Sequence, residues 1–375
     1  MFNSLHSKLT QEFPKWGKAC WKNVLALSLG IIRKGTVCLN KVKDCIGSIL
    51  ENQSTSASGH YKRLTRIFTE YSDTHLWSDL LQLSAMHMHK GGDFLMVDGT
   101  SWKQGDRTFH FMTLAILYNG VAVPIYFMNL EKKGISNQEE RIQLLEEASK
   151  LFNLEGKILL ADREYAGQKF IKYLEDNGFK YVLRVKECNF KNQWNEKSMT
   201  KAQMISKVIN SKVKGKTMSA KMKFEAGDNC WMVIKKSEDA EKEPVIFLLT
   251  NLSKNAYKVA EDYRKRWQIE TCFRHLKTNG FDLEKMNVQG ADRCRLMMAI
   301  VVFAYSVSIA HGLKKYKSVS LKTYANGKRY RSISVFRKGV ECIAEADYRI
   351  ENWGEYILIH FLSHDRKICP KSINV

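Results

Sequence analysis

The residues best placed to do chemistry in this chain lie in one short run. It contains Tyr263, Arg266, Glu270 and Lys277, which are spaced by three, four and seven residues. On a continuous helix these spacings place all four side chains on one face, because steps of three and four residues return to the same side. The run therefore predicts a carboxylate framed by two cations and a phenol.

Two further acids, Asp98 and Asp162, each end an apolar run that is typical of a buried strand, Phe94–Val97 and Lys157–Ala161. We expect both to converge with Glu270. Three converging carboxylates offer the hard oxygen ligands that Mg²⁺ prefers, and a net charge of +21 favours a polyanionic partner. Together they suggest divalent-metal chemistry on nucleic acid. Taken alone, each aspartate could be a turn residue and the glutamate a surface ion pair.

Composition narrows the class of protein further. The 375 residues are 44% hydrophobic, enough for a large core. The nine cysteines are scattered without a C-x-x-C pair, which argues against zinc and is typical of reduced thiols in the cytosol. Charged residues interrupt the N-terminus, so no signal peptide is expected. Leu296–Ala310 is apolar but contains Tyr305, Ser306 and Ser308, and we interpret it as a buried helix without a membrane partner.

The hydrophobic pattern predicts three regions. Residues 1–90 are helical, with a polar break at 54–59 and a basic helix after it, either a DNA-binding pair or a solvated bundle face. Strands follow from residue 92, with a hairpin turn at Asn119-Gly120 and then strand–helix alternation that implies parallel pairing. Residues 187–250 are predicted as an inserted β subdomain, since ten lysines in 186–223 precede two strand patterns.

The C-terminal part, 314–375, is predicted to be helical and basic. Nine basic residues and no acidic one lie between Lys314 and Lys338. Four aromatic residues are interleaved with them: Tyr316, Tyr324, Tyr330 and Phe336. Such a run suits phosphate contact with base stacking, and it is also compatible with a solvated surface loop.

Three blocks of this sequence resemble the catalytic blocks of DDE transposases: Asp98-Gly99-Thr100-Ser101, Asp162-Arg163-Glu164-Tyr165 and the Tyr263/Arg266/Glu270/Lys277 set. The last set matches the Tyr-x2-Arg-x3-Glu-x6-Lys signature of the bacterial insertion-sequence-four family. The resemblance covers roughly residues 92–313. It implies a ribonuclease H-like α/β core at 91–313, a mixed sheet with helices, carrying the inserted β subdomain between helical N- and C-terminal regions.

The resemblance also implies the chemistry. Asp98, Asp162 and Glu270 would hold two Mg²⁺ (or Mn²⁺) ions for in-line phosphoryl transfer. Tyr263, Arg266 and Lys277 would hold phosphates of the transposon end, and Arg163 would support the site or contact the DNA backbone. Trp267 is predicted to pack in the core. The partners would be terminal inverted repeats and target DNA, bound by a homodimer in the bacterial cytoplasm at the nucleoid.

One position departs from relatives that cut through a DNA hairpin. They stack a flipped base on a Trp of the inserted subdomain, where this chain has Ile246, so Trp231 or Phe247 would have to substitute. The hairpin step therefore stays open. Two alternative functions are also open: a ribonuclease H-like DNA nuclease without strand transfer, and a non-catalytic DNA-binding protein derived from a transposase.

Overall fold

The computed structural model describes residues 2–88, 92–104, 107–130, 132, 134–224, 227–237, 243–253, 255–325 and 327–362. Helices surround a central mixed sheet, and a small two-stranded sheet lies towards the C-terminal end. This arrangement agrees with the predicted α/β class.

Five helices precede the sheet, as the apolar periodicity predicts: α1 (Phe2–Glu12), α2 (Lys18–Lys34), α3 (Leu39–Leu50), α4 (Ala57–Tyr71) and α5 (Leu76–Ala85). α4 begins within the polar break, where the Ser56 side chain accepts a hydrogen bond from the backbone N–H of Gly59 and satisfies a free donor of the first turn. Leu64 of α4 is buried, whereas Lys62 and Arg66 face solvent. The basic helix is present, and its DNA-binding role stays a prediction.

The first half of the central sheet contains five strands. β1 (Phe94–Gln104), β2 (Arg107–Tyr118) and β3 (Val121–Asn129) form an antiparallel meander. β4 (Ile158–Ala161) is parallel to β1, and β5 (Lys180–Val185) is parallel to β4, with α6 (Gln138–Leu151) and α7 (Gln168–Asp176) preceding them. The β2–β3 turn is the predicted one, because Asn119 and Gly120 have φ of 48° and 81°, as a type I′ turn requires.

Residues 187–250 contain α8 (Lys201–Ile209), β6 (Thr217–Phe224), β7 (Gly227–Lys236) and β8 (Val245–Thr250). β8 pairs antiparallel with β5, β7 with β8, and β6 with β7. The strand order is therefore β3-β2-β1-β4-β5-β8-β7-β6. The strands of the predicted insertion continue the central sheet and do not form a sheet of their own.

A long helix lies in the middle of the core. After α9 (Ala256–Arg264) and α10 (Trp267–Leu276), α11 (Ala291–Lys315) packs against α2, α5, β3 and the later helix α12 (Val335–Glu345). In the described part of the chain, the segment Ala291–Ser318 is long and apolar enough to cross a membrane, but 94% of its most apolar stretch is buried inside the protein. The prediction of a buried helix at Leu296–Ala310 is confirmed.

The C-terminal region is not entirely helical, so that prediction is wrong in part. Between α11 and α12, β9 (Leu321–Thr323) and β10 (Arg329–Arg331) form an antiparallel hairpin. The sequence Asn326-Gly327 is the same turn signal as Asn119-Gly120 and could have indicated it. α13 (Ile350–Phe361) follows α12, and residues 363–375 lie outside the described residues.

Candidate active site

Asp98 and Asp162 leave neighbouring parallel strands side by side. The last residue pair of the β1–β4 ladder is Val97 with Ala161, and each aspartate is the next residue. Asp162 follows β4 as predicted, and its Oδ1 accepts a hydrogen bond from the N–H of Arg163 at 2.7 Å. Asp98 does not end its strand, so that prediction is wrong. β1 continues along β2 after its pairing with β4 stops.

Tyr263, Arg266, Glu270 and Lys277 do not share one helix. A turn at Lys265 and Arg266 separates α9 from α10, and Lys277 lies just beyond the end of α10. The prediction of one continuous helical face is therefore wrong. Arg266 nevertheless keeps right-handed helical angles, φ −52° and ψ −34°. Its side chain consequently still reaches Glu270, four residues later.

The guanidinium of Arg266 lies between all three predicted carboxylates. Its Nη1 is 3.1 Å from Asp98 Oδ2. Its Nη2 is 2.6 Å from Glu270 Oε1 and 3.9 Å from Asp162 Oδ2. The Arg266 side chain is only 8% exposed, and the three acids are 17–32% exposed. The structure thus brings the three acids together around one positive charge.

The cluster of acids around Arg266 carries more negative than positive charge. Burial raises the pKa of Asp98 to about 6; Arg266 and the N–H of Gly99 offset part of that effect, and Glu164 and Glu270 add to it. Burial lowers the pKa of the Arg266 guanidinium, but Tyr263 and the three carboxylates outweigh burial and hold that pKa above its ordinary value. The guanidinium therefore stays charged. Even with Arg184 beside Asp162 and Glu243, the acids outnumber the cations, an arrangement that favours a further cation.

The donor set fits a hard divalent cation, because carboxylate oxygens are the ligands that Mg²⁺ and Mn²⁺ prefer. As the side chains stand, the described residues contain no group of three or more His, Cys, Asp or Glu close enough to hold a metal ion. The guanidinium of Arg266 lies between the acids instead. Asp98, Asp162 and Glu270 could share a metal only if that guanidinium moved aside.

A second group of side chains surrounds Asp162. The Tyr263 hydroxyl is 3.4 Å from its Oδ1, and Nη1 of Arg184 is 3.6 Å from the same oxygen. Arg184 also binds Glu243 at 2.5 Å. Arg163, predicted to support the site, is half exposed and lies 4.0 Å from Glu243. The sequence analysis missed Arg184, although an arginine inside the apolar strand β5 signals a buried partner.

Lys277 does not contact Glu270. Its Nζ donates a hydrogen bond to the Ser101 carbonyl at 2.8 Å, is 3.6 Å from Glu284 and lies 5.7 Å from the centre of the Trp102 ring. The lysine therefore ties the end of α10 to β1, three residues beyond Asp98, and sits beside the carboxylates without joining them.

A sequence comparison identifies the family, and the matched segment contains Asp98, Asp162 and Glu270. Residues 89–307 match the family model described as the transposase DDE domain. The chain belongs to this family. It is accordingly a transposase, and DDE transposases cut and join DNA and generally use divalent metal ions.

Individual proteins resemble this transposase only weakly. No curated protein matches its sequence. One similar solved structure is the cryo-EM structure of the piggyBac transposase synaptic complex with hairpin DNA, at 11% identity and a TM-score of 0.44. The match covers 96% of this chain and 79% of that chain.

Three aromatic residues of the transposase bear on base capture. Phe247, predicted as a substitute for the missing Trp, is 7% exposed in β8 and cannot stack a base. Trp231 is half-buried in β7, opposite Thr250. Trp267 was predicted to pack in the core, and this prediction is wrong. It is 59% exposed, because the turn at 265–266 directs its neighbour Arg266 inward and leaves the indole at the surface.

Proposed function

We propose that this transposase is a member of the insertion-sequence-four family that cleaves DNA at the ends of its element. It then joins the resulting 3′-hydroxyl ends to target DNA. One observation carries the proposal: carboxylates from β1, from the end of β4 and from α10 meet at a single guanidinium. The Tyr-x2-Arg-x3-Glu-x6-Lys spacing supports it, since two of its members, Tyr263 and Arg266, contact these acids.

The sheet supports a ribonuclease H-like core for the segment 91–313. An antiparallel meander, β1 to β3, is followed by β4 and β5 in parallel on the other side of β1. This topology places the end of β4 beside the middle of β1, and so sets two acids next to each other. Residues 1–90 and 314–375, whose helices pack against each other, would add DNA-binding surfaces beside this core.

Asp98, Asp162 and Glu270 are proposed to hold two Mg²⁺ (or Mn²⁺) ions. When bound, such ions activate the attacking oxygen and stabilise the leaving oxygen of an in-line displacement at phosphorus. The chain's own part is to keep Asp98 and Asp162 on a rigid sheet and to bring Glu270 to them from α10. Because Arg266 binds all three acids, its guanidinium would also offset part of their charge until metal enters.

Double-stranded DNA, as terminal inverted repeats and target, is the proposed partner. Tyr263, Arg266, Lys277 and Arg163 are the proposed phosphate contacts. A homodimer on DNA follows from the need to hold two element ends, and the bacterial nucleoid is the proposed location. A catalytically silent derivative is disfavoured, because all three acids are present and converge.

The phosphate role of Arg266 predicts a change in salt dependence. Arg266→Ala should weaken binding of the transposon end and reduce the log–log salt slope by about one, the contribution of one phosphate. Binding of a labelled end duplex would be measured over a salt series. Arg264→Ala is the matched control, since Arg264 is exposed and pairs with Glu261 at 3.2 Å. An unchanged slope in Arg266→Ala would leave Arg266 only as a partner of the carboxylates.

The hairpin step predicts a distinct product. If Trp231 or Trp267 captures a flipped base, its replacement by alanine should reduce hairpinned ends by roughly tenfold, since stacking contributes ~1–3 kcal/mol per base. The measurement is a denaturing gel of an end-labelled duplex incubated with protein and Mg²⁺. Tyr257→Ala is the control, because Tyr257 is an equally exposed aromatic residue of α9. Nicked or blunt ends without hairpins at every time point would exclude this route.

A further inference from the structure

The β9–β10 hairpin has two chemically different faces. Residues directly opposite in an antiparallel pair share a face, and Lys322 lies opposite Tyr330. Strand alternation adds Tyr324 and Lys328 to the same side. We call these four residues the aromatic-basic face. Each of them is exposed.

Arg331, on the other face of the hairpin, is bonded to the chain just before β9. Arg331 donates hydrogen bonds from Nη1 to the carbonyl of Lys317 at 3.1 Å and to that of Val319. At the base of the hairpin, the N–H of Ser332 donates to the Ser320 carbonyl at 2.9 Å. These bonds brace the base of the hairpin. Leu321, Thr323 and Arg329 of this other face are exposed as well, so both faces of the hairpin meet solvent.

The two tyrosines of this face keep much of their ring surface open. Tyr330 is 50% exposed and Tyr324 is 42% exposed. Their rings meet edge to face, with centres 5.7 Å apart and planes at 68°. The surrounding segment 314–338 contains nine basic residues and no acidic one. Open aromatic rings between lysines match a ligand that carries both flat apolar rings and negative charge.

The helix that follows the hairpin packs against the helix that carries Glu270. Phe336, the second residue of α12, is buried. It therefore cannot stack on a base, as the aromatic residues of this basic run were expected to do. Its ring stacks on His275 at 4.6 Å and 20°. His275 lies in α10 five residues after Glu270, a distance of roughly 7.5 Å along the helix axis. The chain that leaves the hairpin therefore enters a helix, α12, that contacts α10.

We propose that the aromatic-basic face binds a single-stranded segment of DNA. Unpaired bases expose both ring faces and can stack on Tyr324 and Tyr330, while Lys322 and Lys328 contact the flanking phosphates. A duplex keeps its bases stacked internally and offers this face only its backbone. The inference rests on the proposed function, because cutting at an element end supplies such an unpaired strand.

The test compares binding of labelled oligothymidylate and of a duplex of equal length by fluorescence anisotropy, in EDTA so that no DNA is cut. The double variant Tyr324→Ser, Tyr330→Ser should bind oligothymidylate roughly tenfold more weakly and the duplex almost as before. The variant Tyr324→Phe, Tyr330→Phe should keep wild-type binding, because it keeps both rings.

Charge is tested separately. Lys322→Gln with Lys328→Gln should reduce the salt slope for oligothymidylate by about 1.4, since each single-strand phosphate contributes about 0.7. The matched control is Lys150→Gln with Lys172→Gln, which removes two exposed lysines of α6 and α7. Every variant should unfold at the wild-type denaturant midpoint, because the substituted side chains are exposed.

Three results would overturn the proposal: an equal loss on duplex and oligothymidylate in the serine variant, no loss on oligothymidylate, or the same loss in the lysine control. Failure of the proposed function gives a different result. Asp162→Ala should bind oligothymidylate like the wild type, whether or not this variant cleaves DNA. Its cleavage tests the proposed function, and the binding of the tyrosine and lysine variants tests the aromatic-basic face.

Discussion

Replacing Asp162 by alanine is expected to abolish DNA cleavage while DNA binding largely survives. A metal ligand supplies several kcal/mol of transition-state stabilisation, so the rate should fall by at least about 10³-fold, or ~4 kcal/mol. Affinity should change little, because lysine and arginine contacts to phosphates provide it. Asp98→Ala and Glu270→Ala should behave alike. The measurement is cleavage of a labelled element end in Mg²⁺, beside a binding assay in EDTA.

Glu261→Ala is the control for this prediction, because Glu261 is an exposed acid of α9 that pairs with Arg264. It should retain wild-type cleavage. Full cleavage by Asp162→Ala would falsify the three-carboxylate site. A strand-transfer assay with a pre-cut 3′ end then separates the two enzyme functions. A nuclease would cut the element end and never join it to target DNA.

Replacing Arg266 by alanine is expected to destabilise the metal-free protein by about 2 kcal/mol. Removing one partner of a buried ion pair costs about 3–5 kcal/mol, and the partial exposure of the three acids lowers that figure. The remaining carboxylates repel one another with no cation between them. Mg²⁺ should then recover much of the loss, because it binds the folded site and not the unfolded chain. Urea unfolding with and without Mg²⁺ measures both effects.

Wild-type protein should gain less stability from Mg²⁺ than Arg266→Ala does, since its guanidinium already offsets part of the charge of the acids. Arg264→Ala again serves as the control and should change the free energy of unfolding by only a few tenths of a kcal/mol. If Mg²⁺ stabilised Arg266→Ala no more than the wild type, the acids would not form a metal site once the guanidinium is gone.

Local signals predicted the parts of the structure that local sequence controls. Asn119-Gly120 determines a tight turn by itself, and the apolar run before Asp162 determines a short buried strand. Glu270 was found from the spacing of its run and the two aspartates from the apolar runs that they end, and the family resemblance joined the three into one expected site. The position of the Arg266 guanidinium among the three acids was not predicted. Arg266 enters the cluster through a turn, and the sequence of that turn, Arg264-Lys265-Arg266-Trp267, favours a helix.

Long-range contacts explain the turn at Lys265 and Arg266, which the local sequence does not indicate. Lys265 lies 3.8 Å from the centre of the Phe94 ring and 2.6 Å from Asp262, while Arg266 is drawn to the acids. These long-range contacts outweigh local helix propensity. The length of β1 was missed for a similar reason. Beyond Val97 its apolar pattern stops, but Trp102 stacks on Phe109 and Phe111 across the β1–β2 pair.

The burial of α11 has a consequence for shortened forms of this protein. Helices from the N-terminal and C-terminal regions, α2, α5 and α12, cover a helix that is apolar enough for a membrane. A product truncated at either end would expose that surface and would be prone to aggregation. Shortened forms of the chain are therefore expected to be recovered as aggregated protein and not as competitors of the full-length transposase.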